Sequence, residues 1–203
     1  MQSPVVRKFL PAGIEAHLPP HGATSILFLI PSNHSHRKAR FHGLNYMTAT
    51  LNSRPLLEKI AGQAPFELRA PEQPFFVRIL DLANTPKDFD LKEYLRRFDP
   101  SIIVVTCYST DFHIAVVLSE MAKHLCPEAL RVVGGYHTSA LPKKTLLASK
   151  FQVAGIGYGE ETISELAMCL HHYGRRELQN RLSEITGIAY KNGAGQVEIN
   201  PRR

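Results

Sequence analysis

The chain has few cysteines. Cys107, Cys126 and Cys169 are an odd number at wide, irregular spacing, which argues against a disulfide framework or a zinc knuckle, since both need cysteines in pairs. A reducing, cytoplasmic setting is expected. Long hydrophobic runs are missing too: no apolar core of signal-peptide length follows Met1 to Lys8, and nothing approaches the roughly 20 apolar residues of a membrane span. No membrane partner is expected. Nor is there a basic stripe. Lys and Arg outnumber Asp and Glu by 24 to 18, for a net charge of +6, but they are scattered, and the densest runs, residues 36–40 and 174–176, are too short to bind nucleic acid as a patch. They read as solvated faces. The first strand's loop has neither G-x-G-x-x-G nor a Walker sequence, which weighs against a nucleotide-binding enzyme. No repeat or low-complexity segment is evident.

What remains is a chain of 203 residues, 44% hydrophobic, enough for one α/β domain with decorations. Short apolar runs at Ser25–Ile30, Phe75–Leu82, Ile102–Thr106, Leu130–Val133 and Phe151–Ile156 read as buried strands. Helical patterns alternate with them: one from Gly43, broken near Pro55, and others over 90–98, 112–126, 143–148 and 161–173. Asp88 or Asp90 is the expected N-cap of the second, and Gly174 the stop of the last. Strands alternating with helices imply a parallel sheet with right-handed crossovers. The fold expected is α/β: a three-layer, Rossmann-like (flavodoxin-like) five-stranded parallel sheet. An N-terminal arm over 1–23 precedes the 24–180 domain, and a β-hairpin over 181–203 follows, with Ile188–Tyr190 and Val197–Ile199 flanking a turn at Asn192-Gly193.

In such a sheet, ligands bind beyond the carboxyl ends of the strands, where the strand order switches. The residues suited to close approach lie there: Ser109-Thr110, Gly134-Gly135-Tyr136-His137 and Gly157-Tyr158-Gly159-Glu160. Glycine has no Cβ, so a flat or bulky ligand can rest on the main chain.

The run Val132-Val133-Gly134-Gly135-Tyr136-His137-Thr138-Ser139-Ala140-Leu141-Pro142, followed by Gly157-Tyr158-Gly159-Glu160-Glu161-Thr162, resembles the cobalamin-binding domain that precedes the catalytic domain of cobalamin-dependent radical S-adenosylmethionine enzymes. That class includes the oxygen-independent magnesium-protoporphyrin monomethyl ester cyclase and many methyltransferases. Its pattern pairs a strand ending in Gly-Gly-x-His, with Leu-Pro a few residues on, and a strand ending in Gly-x-Gly-Glu with Thr on the next helix. Tyr158 stands where the family often has Glu. The resemblance covers about residues 25–173, and the hairpin resembles the segment leading into the radical domain.

The resemblance implies cobalamin as cofactor, with its nucleotide tail among the third, fourth and fifth strand ends. Ser109 and Thr110 would offer hydroxyls, while Gly134, Gly135, Gly157 and Gly159 would leave room. His137 would either bond a phosphate, ribose or amide or simply anchor its loop. Tyr108 and Tyr136 would either pack on the tail or ring or simply line the rim, Tyr158 and Glu160 would belong to the same site, and Pro31, Ser32 and Asn33 would face the corrin ring. Cobalt would be held without a protein His below it. Asp111-Phe112-His113 begins like the Asp-x-His-x-x-Gly of another cobalamin class, but Val116 replaces the Gly and the motif follows the wrong strand. His113 is therefore read as a partly buried helix-start residue.

Other candidates read as structural. His34, His36 and His42 sit among cations that oppose metal binding. Glu160 and Glu161 are adjacent at a helix start, where acidic residues favour the dipole. The cysteines lack an activating His and read as core. The chain also lacks the C-x-x-x-C-x-x-C thiolates that hold a 4Fe-4S cluster. The cluster and S-adenosylmethionine would belong to a radical domain, joined in cis or acting in trans. The expectation is a domain that presents a corrinoid to that partner. The alternative is a cofactor-free flavodoxin-like interaction or signalling module.

Overall fold

The structure, a computed structural model, describes residues 18–31 and 42–203. Most of the expected arm, together with Ser32, Asn33, His34 and His36, lies outside the described residues. Seven strands form one sheet: β1 (Ser25–Ile30), β2 (Phe76–Asp81), β3 (Ile102–Thr106), β4 (Leu130–Gly134), β5 (Val153–Gly155), β6 (Ile188–Lys191) and β7 (Val197–Ile199). Their order is β2-β1-β3-β4-β5-β6-β7. The first five run parallel, with the order switching between β1 and β3. The hairpin joins this sheet: β6 pairs antiparallel with β5, and β7 with β6. It extends the five-stranded core because β5 presents an edge of main-chain groups that needs a partner.

Alternation along the buried strands divides two cores. Ile26, Phe28, Val104 and Val132 face α1 (His42–Leu51), α2 (Arg54–Gln63) and α7 (Glu160–Arg181). Leu27, Leu29, Ile103, Val105 and Val133 face α3 (Leu91–Phe98), α4 (Phe112–Leu125) and α6 (Pro142–Leu147). Apolar residues on both faces of each strand are what a parallel sheet covered on both sides requires.

Local chemistry sets the helix ends. Asp90 accepts from the backbone N–H groups of Lys92 and Glu93 and caps α3. Pro55 sits in the first turn of α2, where its missing N–H costs nothing. At Gly174 the backbone turns to φ 73°, ending the first part of α7 where the sequence predicts a stop, and the chain then resumes a helix to Arg181. Two features differ from the sequence reading. A short helix, α5 (Tyr136–Ala140), follows β4 directly, and β5 keeps only three paired residues.

Candidate functional site

The carboxyl ends of β3, β4 and β5 meet the first turns of α7 and the flank of α1. Between them lies a cavity of about 50 Å³, lined by Met47, Val104, Val132, Val133, five glycines, Thr162, Ile163 and Leu166. The glycines are Gly134 and Gly135 after β4, and Gly155, Gly157 and Gly159 around the end of β5. Both predicted glycine turns therefore border one space.

Gly135 is required by its surroundings. Its φ is +105°, and a Cβ there would lie 2.7 Å from the Cys107 carbonyl oxygen. The main chain is tied at the same place: Cys107 N–H donates to the Gly134 carbonyl at 2.8 Å, and His137 N–H donates to the Cys107 carbonyl at 3.2 Å. The second turn is tied to the first by Ser139, whose hydroxyl accepts from Gly157 N–H at 3.0 Å. Sequence reading missed Ser139, because its partner lies 18 residues away and one sequence carries no mark of that pairing.

The polar candidates gather beside the cleft instead of on its walls. Ser109 Oγ lies 3.0 Å from His137 Nδ1. The His137 ring stacks on Phe112 with centroids 4.4 Å apart, and Tyr108 and Tyr136 pack at 5.7 Å. This cluster bridges the loops after β3 and β4. Thr110 is exposed next to it, and Glu160 begins α7. Tyr136 and Tyr158 are 77% and 88% exposed. Pro31 is buried just after β1. His113 is exposed, contrary to the partly buried position expected, because it sits on the outer face of α4, next to the inward Ala115.

Thr162 is the polar wall residue missed as a site candidate. Its hydroxyl is buried without a hydrogen-bond partner. It lies close to Gly187, where a Cβ would come within 3.2 Å of it. Met47 was legible only as an apolar mark on a helix, and nothing in its spacing said that it would reach Gly159.

The thiols are core residues. Burial, aided by the negative charge of Asp111, pushes Cys107 up to about 12. Burial likewise raises Cys126 to about 11 and Cys169 to about 12. None has thiolate character at neutral pH. No cluster of three or more metal-ligating side chains occurs among the described residues, and none of their helices is long and apolar enough to cross a membrane. A larger concavity of about 1270 Å³ lies at the amino end of the sheet, lined in part by Thr24, Phe75, His171 and His172. Thr24 and His171 bond each other there at 2.9 Å, and ligands of open α/β sheets bind at the opposite end.

Known proteins match this architecture. Residues 70–167 match the family model of the B12 binding domain. An uncharacterized methyltransferase of Pyrococcus horikoshii is 30% identical over 129 residues, covering 63% of this chain and 27% of that protein. The anaerobic magnesium-protoporphyrin IX monomethyl ester cyclase of Cereibacter sphaeroides is 27% identical over 104 residues, covering 51% and 16%. The radical S-adenosylmethionine methyltransferase TsrM of Kitasatospora setae, solved with cobalamin and a 4Fe-4S cluster, superposes over 88% of this chain and 29% of that one, with a TM-score of 0.62 at 21% identity. The chain thus spans less than a third of each of these proteins. The matched segment runs from just before β2 into the first turns of α7 and includes both glycine turns, and together with the cobalamin-bound neighbour it supports cobalamin as the cofactor.

Proposed function

We propose that this chain binds a corrinoid with its nucleotide tail in the glycine-lined cleft and presents it to a radical S-adenosylmethionine domain, joined in cis or acting in trans. The observation that carries this reading is the convergence of five glycines from two successive strand ends on one apolar cavity. The site suits a tail of this kind. Gly134 has open space where a Cβ would stand, the walls are apolar, and the unpartnered Thr162 hydroxyl is a polar group left for a ligand.

The chain's own residues supply binding, orientation and exclusion of water. Val104, Val132, Ile163 and Leu166 form a dry wall. The contact of Ser109 with His137 Nδ1 and the Phe112 stack hold the His137 ring, leaving Nε2 for a phosphate, ribose or amide of the ligand. Ser109, Thr110 and Glu160 give the rim polar groups. Tyr108, Tyr136 and Tyr158 give it flat apolar surface, with Pro31 at the end of β1. Bound cobalamin supplies a cobalt centre that carries methyl groups or changes oxidation state, chemistry that protein side chains lack. The radical step would need a partner, because the three cysteines here are buried, dispersed and free.

Protein incubated with hydroxocobalamin is expected to keep a corrinoid absorption band through desalting. Protein that stays colourless at high ligand excess overturns the reading. A cysteine triad encoded beyond Arg203 would support the cis arrangement, and co-purification with a separate radical protein the trans arrangement.

A further inference from the structure

Building on the corrinoid reading above, we infer that Met47 is the movable wall of the cleft. Its thioether fills the room that the nucleotide base takes, and its withdrawal is the step that admits a base-bearing corrinoid. The geometry starts at Gly159. A Cβ on Gly159 would lie 2.8 Å from Met47 Cε and 3.3 Å from Sδ, so the side chain from α1 rests on the bare backbone that opens α7. With Met47 there, about 50 Å³ remains. A water needs about 10–15 Å³ of such a cavity, so the space holds on the order of four waters, less than a fused two-ring heterocycle displaces.

The other side-chain walls are held more firmly. Val104 and Val132 are buried in strands hydrogen-bonded on both sides. The Gly134 and Gly157 backbones are tied to Cys107 N–H and the Ser139 hydroxyl. The helix bearing Ile163 and Leu166 is pinned from outside by Arg203, which reaches Glu161 and Glu165. Met47 differs in both position and chemistry. It is only half-buried, while Leu44 and Leu51 anchor the same helix in the core. Its unbranched chain has three soft torsions and a polarizable sulfur, so it can leave one packing site for another without moving the backbone. A residue of this kind sets both the speed of entry and the size of base accepted.

The test compares association rates by stopped-flow absorbance for hydroxocobalamin and for cobinamide, which lacks the nucleotide. In Met47→Ala the cleft stands open, and cobalamin association is expected to rise about tenfold, the gain from no longer having to populate a minor open form. In Met47→Ile a stiff branched chain of similar bulk replaces the flexible one, and association is expected to slow by a comparable factor. Cobinamide rates should be unchanged in both variants. If wild type loads cobalamin and both variants load it at the wild-type rate, Met47 is no gate. If both variants shift cobinamide as much as cobalamin, the base is not what Met47 admits. Failure of the corrinoid reading itself looks different, because wild type then binds neither compound. Met47→Ile keeps the cleft filled, so it carries the test if Met47→Ala proves unstable.

Discussion

The α-carbon of Gly135 sits directly against the main chain of Cys107, so close that a β-carbon would stand 2.7 Å from the carbonyl oxygen and 3.0 Å from the amide nitrogen. One contact thereby joins the loop after β3 to the turn after β4, and the positive φ of Gly135 makes the junction doubly dependent on glycine.

Neighbouring glycines should separate folding from binding. Gly135→Ala is expected to lose about 3 kcal/mol, from left-handed strain and a clash with rigid backbone. Gly134→Ala meets nothing within 4 Å and keeps a negative φ, so its stability should stay within about 1 kcal/mol of wild type. Its methyl group instead enters the cleft and should weaken corrinoid retention. Urea denaturation paired with hydroxocobalamin titration distinguishes the two.

Ser109 should act through His137. Ser109→Ala removes the hydroxyl that lies 3.0 Å from Nδ1 at an exposed site, so folding should change little. Corrinoid affinity should fall about tenfold, the value of one lost orienting hydrogen bond. His137→Ala should cost at least as much affinity, and the double variant no more than His137→Ala alone. Additive losses in equilibrium titration would mean that the two residues act separately.

The ion pair of Arg203 with Glu165 makes stability depend on pH. Glu165 is 2% exposed and lies 2.5 Å from Arg203 Nη2. The pairing with Arg203 is what offsets the burial of the carboxylate. Burial still raises the Glu165 pKa above the ordinary carboxylate range, while Arg203 pulls it down. A raised carboxylate holds its proton longer when folded than when unfolded. Its contribution is therefore full below the unfolded pKa and is lost as pH rises through the folded value. Arg203→Met should widen that window and cost about 3 kcal/mol at pH 8 but much less at pH 5. Denaturant midpoints at the two pH values check this, and an equal loss at both would count against it.

The three thiols should report global opening. With pKa values pushed up to about 12, 11 and 12, Cys107, Cys126 and Cys169 carry almost no thiolate at pH 8, and all are buried. Iodoacetamide should label all three together, at a rate that climbs with added urea. Rapid labelling of one alone, in the absence of denaturant, would show a local opening beside it.

Much of the architecture was legible because each physical cause lay within a few residues. Continuous apolar runs marked the parallel strands, Asp90 marked a cap, and Gly174 marked a turn out of helix. The pairing of β6 with β5 was not legible. It joins Val153 to Tyr190 across a long helix, and a hairpin pattern does not say which edge it will cover. At the site, the glycines were readable from their positions after strands, and the structure brings them around one cavity. Met47, Ser139 and Thr162 were not, because each matters through a partner or cavity assembled only by folding. The same limit applies to Ser109, whose hydroxyl is engaged with His137 instead of pointing into the cleft.

The cleft lies on the face of the sheet covered by α1 and α7, so the proposed binding has a front and a back. The outer surface of α4, where Val117 is 59% exposed, lies across the full thickness of the sheet from Met47. A fluorophore, spin label or surface tether attached at that position is expected to leave the proposed entry of a corrinoid unobstructed, so single-molecule or immobilised binding formats are open to this domain without redesigning its front.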